Sequence, residues 1–178
     1  MEMETEWILD PAHSEIAFKV KHLMMTNIKG EFREFEITLT SEGNDFSNAK
    51  VLASVNTQSV FTNNAERDTH LRSTDFFDAE QFRKMTFQSR NIQKLDSQNY
   101  RLTGVLSMKG IDREVFFHVE FAGLRKDPGG DFKAGFSITG KINRRDWGLN
   151  WNAALDAGGV LVSDDVRMTA ELQFLKKS

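Results

Sequence analysis

Eight segments of this 178-residue chain alternate apolar and polar side chains at period two. Successive residues of a strand point to opposite faces, so this alternation marks strands with one buried face. Ile16, Phe18 and Val20 alternate with Ala17, Lys19 and Lys21. Phe35, Ile37 and Leu39 follow, and Phe32 falls out of phase with them, which predicts a bulge near Arg33. Val51, Ala53 and Val55 form the third segment, and Met85 with Phe87 the fourth. Leu102, Gly104, Leu106 and Met108 precede a turn at Lys109-Gly110-Ile111-Asp112 and the run Val115, Phe117, Val119, Phe121. Phe132, Ala134, Phe136 and Ile138 come after Asp127-Pro128-Gly129-Gly130, and Val166, Met168, Ala170, Leu172 and Phe174 close the set.

Eight sequential antiparallel strands, each with one apolar face, form either a sandwich or a closed up-and-down barrel. A barrel of this size holds packed side chains or one ligand. Ala53, Gly104, Ala134 and Ala170 put small residues on the apolar face of four strands. They hollow the middle of a barrel if they meet at one height, or simply fit its taper, and both readings stand.

Residues 56–84 break the pattern, and a connection this long has its own structure or a function. Asn63 with Glu66 resembles a capping box, and Asp68 with Arg72 has the favourable acid-first spacing of a helical pair. Ser73-Thr74-Asp75 is a second cap-like cluster, followed by Phe76 and Phe77. Two adjacent phenylalanines need an apolar surface to cover, which predicts a helical lid between the third and fourth strands. Leu71, Phe76 and Phe77 are expected to face inward, with Glu66, Arg67, Asp68 and Arg72 at the rim or in water. No repeat or linker divides residues 1–178, so one domain is expected.

Several function classes lose support. With 23 basic and 26 acidic residues the net charge is -3, against a phosphate-binding basic face. The chain has no cysteine, which removes disulfides, thiolate catalysis and cysteine-ligated metals. His13 and Ser14 are neighbours and point to opposite faces of a strand, and no Gly-x-Ser-x-Gly elbow occurs. His13, His22, His70 and His118 show no metal-ligand spacing, and His118 is in the outward phase. His22 ends the first strand, where a hydrogen bond to backbone at the barrel mouth is the expected role. No metal, cofactor or catalytic residue is expected. The acidic start, Met1-Glu2-Met3-Glu4-Thr5-Glu6-Trp7, has no apolar core of a secretory signal, and no segment is long and apolar enough to span a membrane. As written the chain reads as cytoplasmic; a leader removed beforehand would place it in the periplasm.

Asn143-Arg144-Arg145-Asp146-Trp147-Gly148-Leu149-Asn150-Trp151 either grips an anionic head group through guanidinium forks or forms a strand-to-loop corner held by its own contacts. The corner is the commoner arrangement. Fifteen phenylalanines against a single tyrosine fit a greasy interior or simply an aromatic core.

In ordered blocks the chain resembles the YceI-like polyisoprenoid-binding proteins from Trp7 to about Phe174. The first block is Trp7-Ile8-Leu9-Asp10-Pro11-Ala12-His13-Ser14 with Phe18, Val20, His22, Leu23, Gly30 and Phe32. The second is Arg67-Asp68-Thr69-His70-Leu71-Arg72-Ser73 with Asp75-Phe76-Phe77 and Thr86-Phe87-Gln88-Ser89. Gly104, Leu106, Gly110 and Val115 form the third. The last is Arg144-Arg145-Asp146-Trp147-Gly148-Leu149 with Val160-Leu161-Val162 and Val166. Arg83 stands where members commonly have proline, and Ser163 where glycine is common. The resemblance implies an all-β, lipocalin-like eight-stranded barrel, often a homodimer, whose elongated cavity holds an isoprenoid quinone, a polyprenyl phosphate or another long-chain amphiphile. Many members carry an export signal; its absence here implies access to membrane lipid from the cytoplasmic side through transient contact.

Strand phase, strengthened by the resemblance, assigns the ligand walls to Phe18, Val20, Phe35, Ile37, Phe87, Leu106, Phe117, Phe136, Ile138, Met168 and Leu172. Leu71, Phe76 and Phe77 join them from the lid. Arg67, His22, Arg144 and Trp147 are the head-group candidates. The function expected is transport, storage or sequestration of one lipid. The competing readings are an enzyme on a lipid-like substrate, using His22 or Asp146, and a filled barrel serving as an interaction module.

Overall fold

The computed structural model describes residues 4–153 and 161–177. Val160 and Met1 to Met3, named above, lie outside them. In chain order the elements are β1 (Glu4–Leu9), β2 (Glu15–His22), β3 (Thr26–Phe32), β4 (Phe35–Glu42), β5 (Asp45–Asn56) and β6 (Val60–Phe61). Then come the helix α1 (Ala65–Arg72), β7 (Lys84–Lys94), β8 (Asn99–Met108), β9 (Ile111–Lys126), β10 (Phe132–Asn143) and β11 (Asp165–Lys176).

These strands occupy eight positions of one closed antiparallel sheet. β11 pairs with β10 along its whole length, with β2 near its start (Met168 opposite Phe18) and with β1 near its end (Phe174 opposite Leu9). β1 and β2 therefore share one position, interrupted by a short 3-10 turn at Pro11–His13. β3 and β4 share the next, since β3 pairs with β2 and β4 with β1. The break between them falls at Arg33 and Glu34, where the out-of-phase Phe32 predicts a bulge. β5 pairs with β4, and beyond the 3-10 turn Thr57–Ser59 its continuation β6 pairs with β3. β7, β8, β9 and β10 follow in order. The ring is thus a sequential meander, and closure leaves no edge over its main part.

Counted by element, the lid does not lie between a third and a fourth strand: it follows β6 and precedes β7, the elements at the third and fourth positions of the ring. β1, β3 and β6 are short strands with weak alternation, which is why the count differed. In β3 the inward position between Ile28 and Phe32 is Gly30, and a missing side chain erases the pattern. The β8–β9 turn is as expected: Lys109 and Gly110 adopt φ 56° and 76°, the pair of left-handed residues that a two-residue hairpin needs.

One end of the ring is closed by packed aromatic rings. Phe46 meets Trp7, Phe121 and Phe136 at ring-centroid separations of 5.3, 5.1 and 5.1 Å. Trp7 stays buried because its indole N–H donates to Ser41 Oγ at 2.8 Å. The other end, flanked by β2, β3 and α1, is open inside.

Candidate functional site

A cavity of about 530 Å³ fills the open end, within the roughly 300–1,000 Å³ typical of small-molecule sites. Phe18 and Val20 of β2, Ile28 and Phe32 of β3, and Val166 and Met168 of β11 form one wall. Leu71, Phe76 and Phe77 roof it, and Leu149, Trp151, Leu161 and Val162 close the remaining side. Two smaller apolar voids of about 100 and 50 Å³ continue toward the Phe46 end. The first shares Met85 and Met168 with the large cavity, and the second shares Ile37, Val51, Leu102, Ile138 and Leu172 with the first. The three form a tapering apolar run along the barrel.

Polar groups gather at one end of it. Asn64 and Glu66 are exposed and Arg67 and His70 half-buried, all bordering the large cavity at α1, and half-buried His22 borders it from the end of β2. The helix is capped by Asn64, whose side chain accepts from Arg67 N–H at 3.0 Å. The cap is not Asn63, which takes a left-handed φ of 61° just before it. Asp68 does not pair with Arg72 or face water. It is buried and accepts from both the backbone N–H of Thr62, at 2.8 Å, and its hydroxyl, at 2.5 Å. Arg67 donates from Nε to the same hydroxyl at 2.8 Å and from Nη2 to the Thr62 carbonyl at 2.7 Å. Thr62 thus links the two residues that hold the lid on the barrel.

Aromatic contacts seat the rest of the lid. Phe77 packs edge-on against Phe32 at 5.5 Å, and Phe32 against Phe18 at 5.6 Å. Trp151 meets His70 at 4.6 Å and Phe76 at 5.4 Å, joining the lid to the loop after β10. His70 Nε2 lies 2.9 Å from Asp75 Oδ2, a rim pair with partly exposed side chains.

Of the wall residues expected from strand phase, Phe18, Val20 and Met168 border the large cavity. Ile37, Phe87, Leu106, Phe117, Phe136, Ile138 and Leu172 border the narrow continuation. Leu71, Phe76 and Phe77 face inward as expected. Phe35 borders none of the three apolar voids: it keeps the phase of Ile37 on β4 but packs against the core at the start of the strand, away from the open space. Trp147 does not border them either: it is 1% exposed, its indole donating to the Leu106 carbonyl at 2.9 Å.

Arg144 borders the cavity but is committed elsewhere. Its guanidinium donates to the carbonyls of Leu149, Trp151 and Ser163 at 2.6, 2.8 and 2.9 Å. Burial draws its pKa down from the ordinary guanidinium value, and Asp164 opposes that shift. The corner reading of residues 143–151 therefore describes Arg144 and Trp147. Ser163 adds a tie that glycine lacks: its hydroxyl accepts from Lys21 N–H at 3.0 Å and donates to the Asp165 carbonyl at 2.9 Å. Arg83 is exposed, and its carbonyl accepts from Thr57 N–H, a contact proline also makes.

The small residues divide. Ala53 and Ala170 border the 100 Å³ void. At Gly104 the space is taken by Phe87, whose Cε2 would lie 2.7 Å from an added Cβ, and Ala134 is fully buried in packed surroundings. The main hollow lies nearer the lid than those four residues indicate. Ile28, Met85, Met108, Leu149, Trp151 and His70 were missed as lining residues; the apolar phase of Met85 and Met108 was the available signal.

The family model for the YceI-like domain matches residues 7–174. The chain belongs to the YceI-like family. A UPF0312 protein of Staphylococcus aureus strain N315 is 40% identical over 171 residues, covering 96% of this chain and 97% of that protein. The crystal structure of the Campylobacter jejuni YCEI protein is 30% identical, with a TM-score of 0.75 over 89% of this chain and 90% of that one. The fold is also that of a polyisoprenoid binding domain from Saccharophagus degradans, with a TM-score of 0.65 over 99% of this chain and all of that one at 13% identity. Against this YceI-like background, no described helix is long and apolar enough to cross a membrane.

Proposed function

We propose that this YceI-like barrel binds one long apolar or amphipathic lipid, an isoprenoid quinone, a polyprenyl phosphate or a molecule of similar shape, for transport, storage or sequestration. The tapering apolar run, with its charged and histidine side chains confined to the large cavity, carries this reading. A chain threaded toward Phe87 and Leu106 gains about 25 cal/mol per Å² of apolar surface removed from water, with few polar contacts needed. The head group then lies beside Arg67, His70 and His22. The Saccharophagus degradans domain, described as polyisoprenoid binding, is a supporting parallel.

A binding role is favoured over catalysis. Asp146 is exposed and does not border the cavity, so it forms no pair with His22 there. The filled-barrel reading is disfavoured by the 530 Å³ of open space. Native mass spectrometry of the purified protein, followed by solvent extraction, tests the proposal. A bound lipid of discrete mass is expected, and its loss is expected in Met168→Trp, which fills the junction of the two larger voids. Protein that neither retains nor takes up polyprenyl phosphate or quinone would overturn the reading. The homodimer implied by the resemblance belongs to the same proposal and is read by sedimentation equilibrium as twice 20.3 kDa.

A further inference from the structure

The tip of the β2–β3 hairpin is apolar and uncovered. Leu23, Met24 and Met25 are 38, 58 and 78% exposed. The turn closes with Met25 N–H donating to the His22 carbonyl at 3.0 Å, and its two central residues, Leu23 and Met24, take φ 54° and 55°. Such turns favour asparagine and glycine, because a side chain strains the left-handed conformation. The β8–β9 turn of this same chain meets the requirement with Lys109 and Gly110. At the β2–β3 tip the chain instead carries a leucine and a methionine, strained and with much of their surface in water. Strain of this kind persists where it serves a site.

The tip stands directly beside the cavity. Val20, His22 and Ile28, within three residues of it, line the large cavity, and Leu23 N–H donates to the carbonyl of Leu161, another lining residue, at 2.9 Å. Toward the tip the outward phase of the same two strands is basic, while Glu15 and Glu31 lie in that phase at the far end. Lys19, Lys21 and Lys29 are exposed; Lys19 sits opposite Lys29 on β3 and opposite Arg167 on β11. Like charges facing one another across strands repel, a cost that an anionic surface removes. Among the described residues the one ion pair of these four cations joins Lys29 to Glu15, at 3.7 Å. This basic blade belongs to a chain of net charge -3.

We propose that the Leu23-Met24-Met25 tip inserts into the interfacial layer of an anionic bilayer, with Lys19, Lys21 and Lys29 on lipid head groups, and so sets the cavity mouth against the membrane. Apolar side chains at such a tip gain by leaving water, and each nearby lysine adds attraction to anionic lipid. This rests on the lipid-binding reading of the cavity, but its experiment is separate. The full chain is sedimented with phosphatidylcholine vesicles and with vesicles also containing phosphatidylglycerol, while lipid retention is followed in parallel by native mass spectrometry. Wild type is expected to pellet with the anionic vesicles. Met24→Ser with Met25→Ser is expected to weaken that partition about tenfold or more, and Lys19→Glu with Lys21→Glu to abolish the preference for phosphatidylglycerol. Circular dichroism is expected to be unchanged in both variants. Wild type that stays in the supernatant, or a tip variant that partitions like wild type, overturns the proposal. So does a tip variant that changes only the sedimentation mass, since the tip would then be a contact between copies of the chain. Protein that pellets with vesicles yet never retains lipid supports the tip and removes the cavity reading instead.

Discussion

The Phe18 ring covers the backbone of Gly30, its partner across β2 and β3, so closely that a methyl group there would stand 2.7 Å from Phe18 Cε1. Only glycine leaves that ring flat on the cavity wall. Gly30→Ala pushes Phe18 inward, where it occupies space that the ligand needs. Overpacking of this kind costs about 1–3 kcal/mol, or about 2–12 °C in the thermal midpoint of a domain this size. The expected outcome is several-fold less lipid per chain, measured by extraction, alongside that modest drop. Unchanged lipid content would mean the ring relaxes away from the cavity.

Phe76 and Phe77 roof the cavity, and the strands beneath are hydrogen-bonded to their neighbours. A chain ligand therefore leaves past the lid. Phe76→Ala with Phe77→Ala is expected to speed release of a fluorescent polyprenyl probe several-fold in stopped-flow, with the circular dichroism of the barrel intact. An unchanged off-rate with an unchanged fold would reduce the lid to packing.

Asp68→Ala leaves the buried backbone N–H of Thr62 without its acceptor, which costs about 1–3 kcal/mol. Because α1 and β6 meet there, hydrogen exchange should rise in residues 60–72 and stay slow in β8 and β9. Uniform acceleration across the barrel would show that the lid is no separate unit.

Arg67 and Arg144 separate by role. Arg144→Lys abandons buried carbonyls that a single ammonium cannot reach together, so a large fall in thermal midpoint is expected, with lipid content following stability. Arg67→Lys gives up the paired bonds to Thr62 at the mouth, so it is expected to loosen the lid, keep the barrel strands folded and weaken an anionic-headed lipid more than its uncharged alcohol. Equal loss of both lipids on isothermal titration would remove Arg67 from head-group recognition.

Asp10 supplies a pH prediction. A hydrogen bond from His13, set against partial burial, and the backbone N–H of Ala12 hold its pKa below the ordinary aspartate value. A carboxylate with a lowered folded pKa stabilises above its unfolded value, about 3.9, and that contribution disappears as pH falls through the folded one. Asp10→Asn is therefore expected to lower the urea midpoint at pH 6 and to converge with wild type toward pH 2. A constant difference across that range would show that the side chain caps the turn without its charge.

Much of the barrel is legible in local pattern. The alternation of Val115, Phe117 and Val119 or of Met168, Ala170 and Leu172 specifies which face is buried, because side-chain direction in a strand depends only on its neighbours in sequence. Short turns such as Lys109-Gly110 then make consecutive strands adjacent, so a meander follows. Phe76 and Phe77 announce a lid in the same way, being apolar where no strand exists to bury them.

The site itself was decided through space. Whether a small residue leaves a hollow depends on the ring that reaches it from the next strand: Phe87 fills the place of Gly104, while Ala53 and Ala170 border a void. Asp68 reads as a rim or solvent-facing helical acid until the chain leaving β6 brings Thr62 onto it, and Arg144 reads as either a head-group cation or a corner tie until backbone carbonyls converge on it. The sequence by itself determined the strand faces, their order and the presence of a lid, since those follow from local periodicity and chain connectivity. Only the tertiary structure decided where the cavity lies and which polar groups remain at its mouth, because hydrogen-bond partners and packing neighbours far apart in the chain set both.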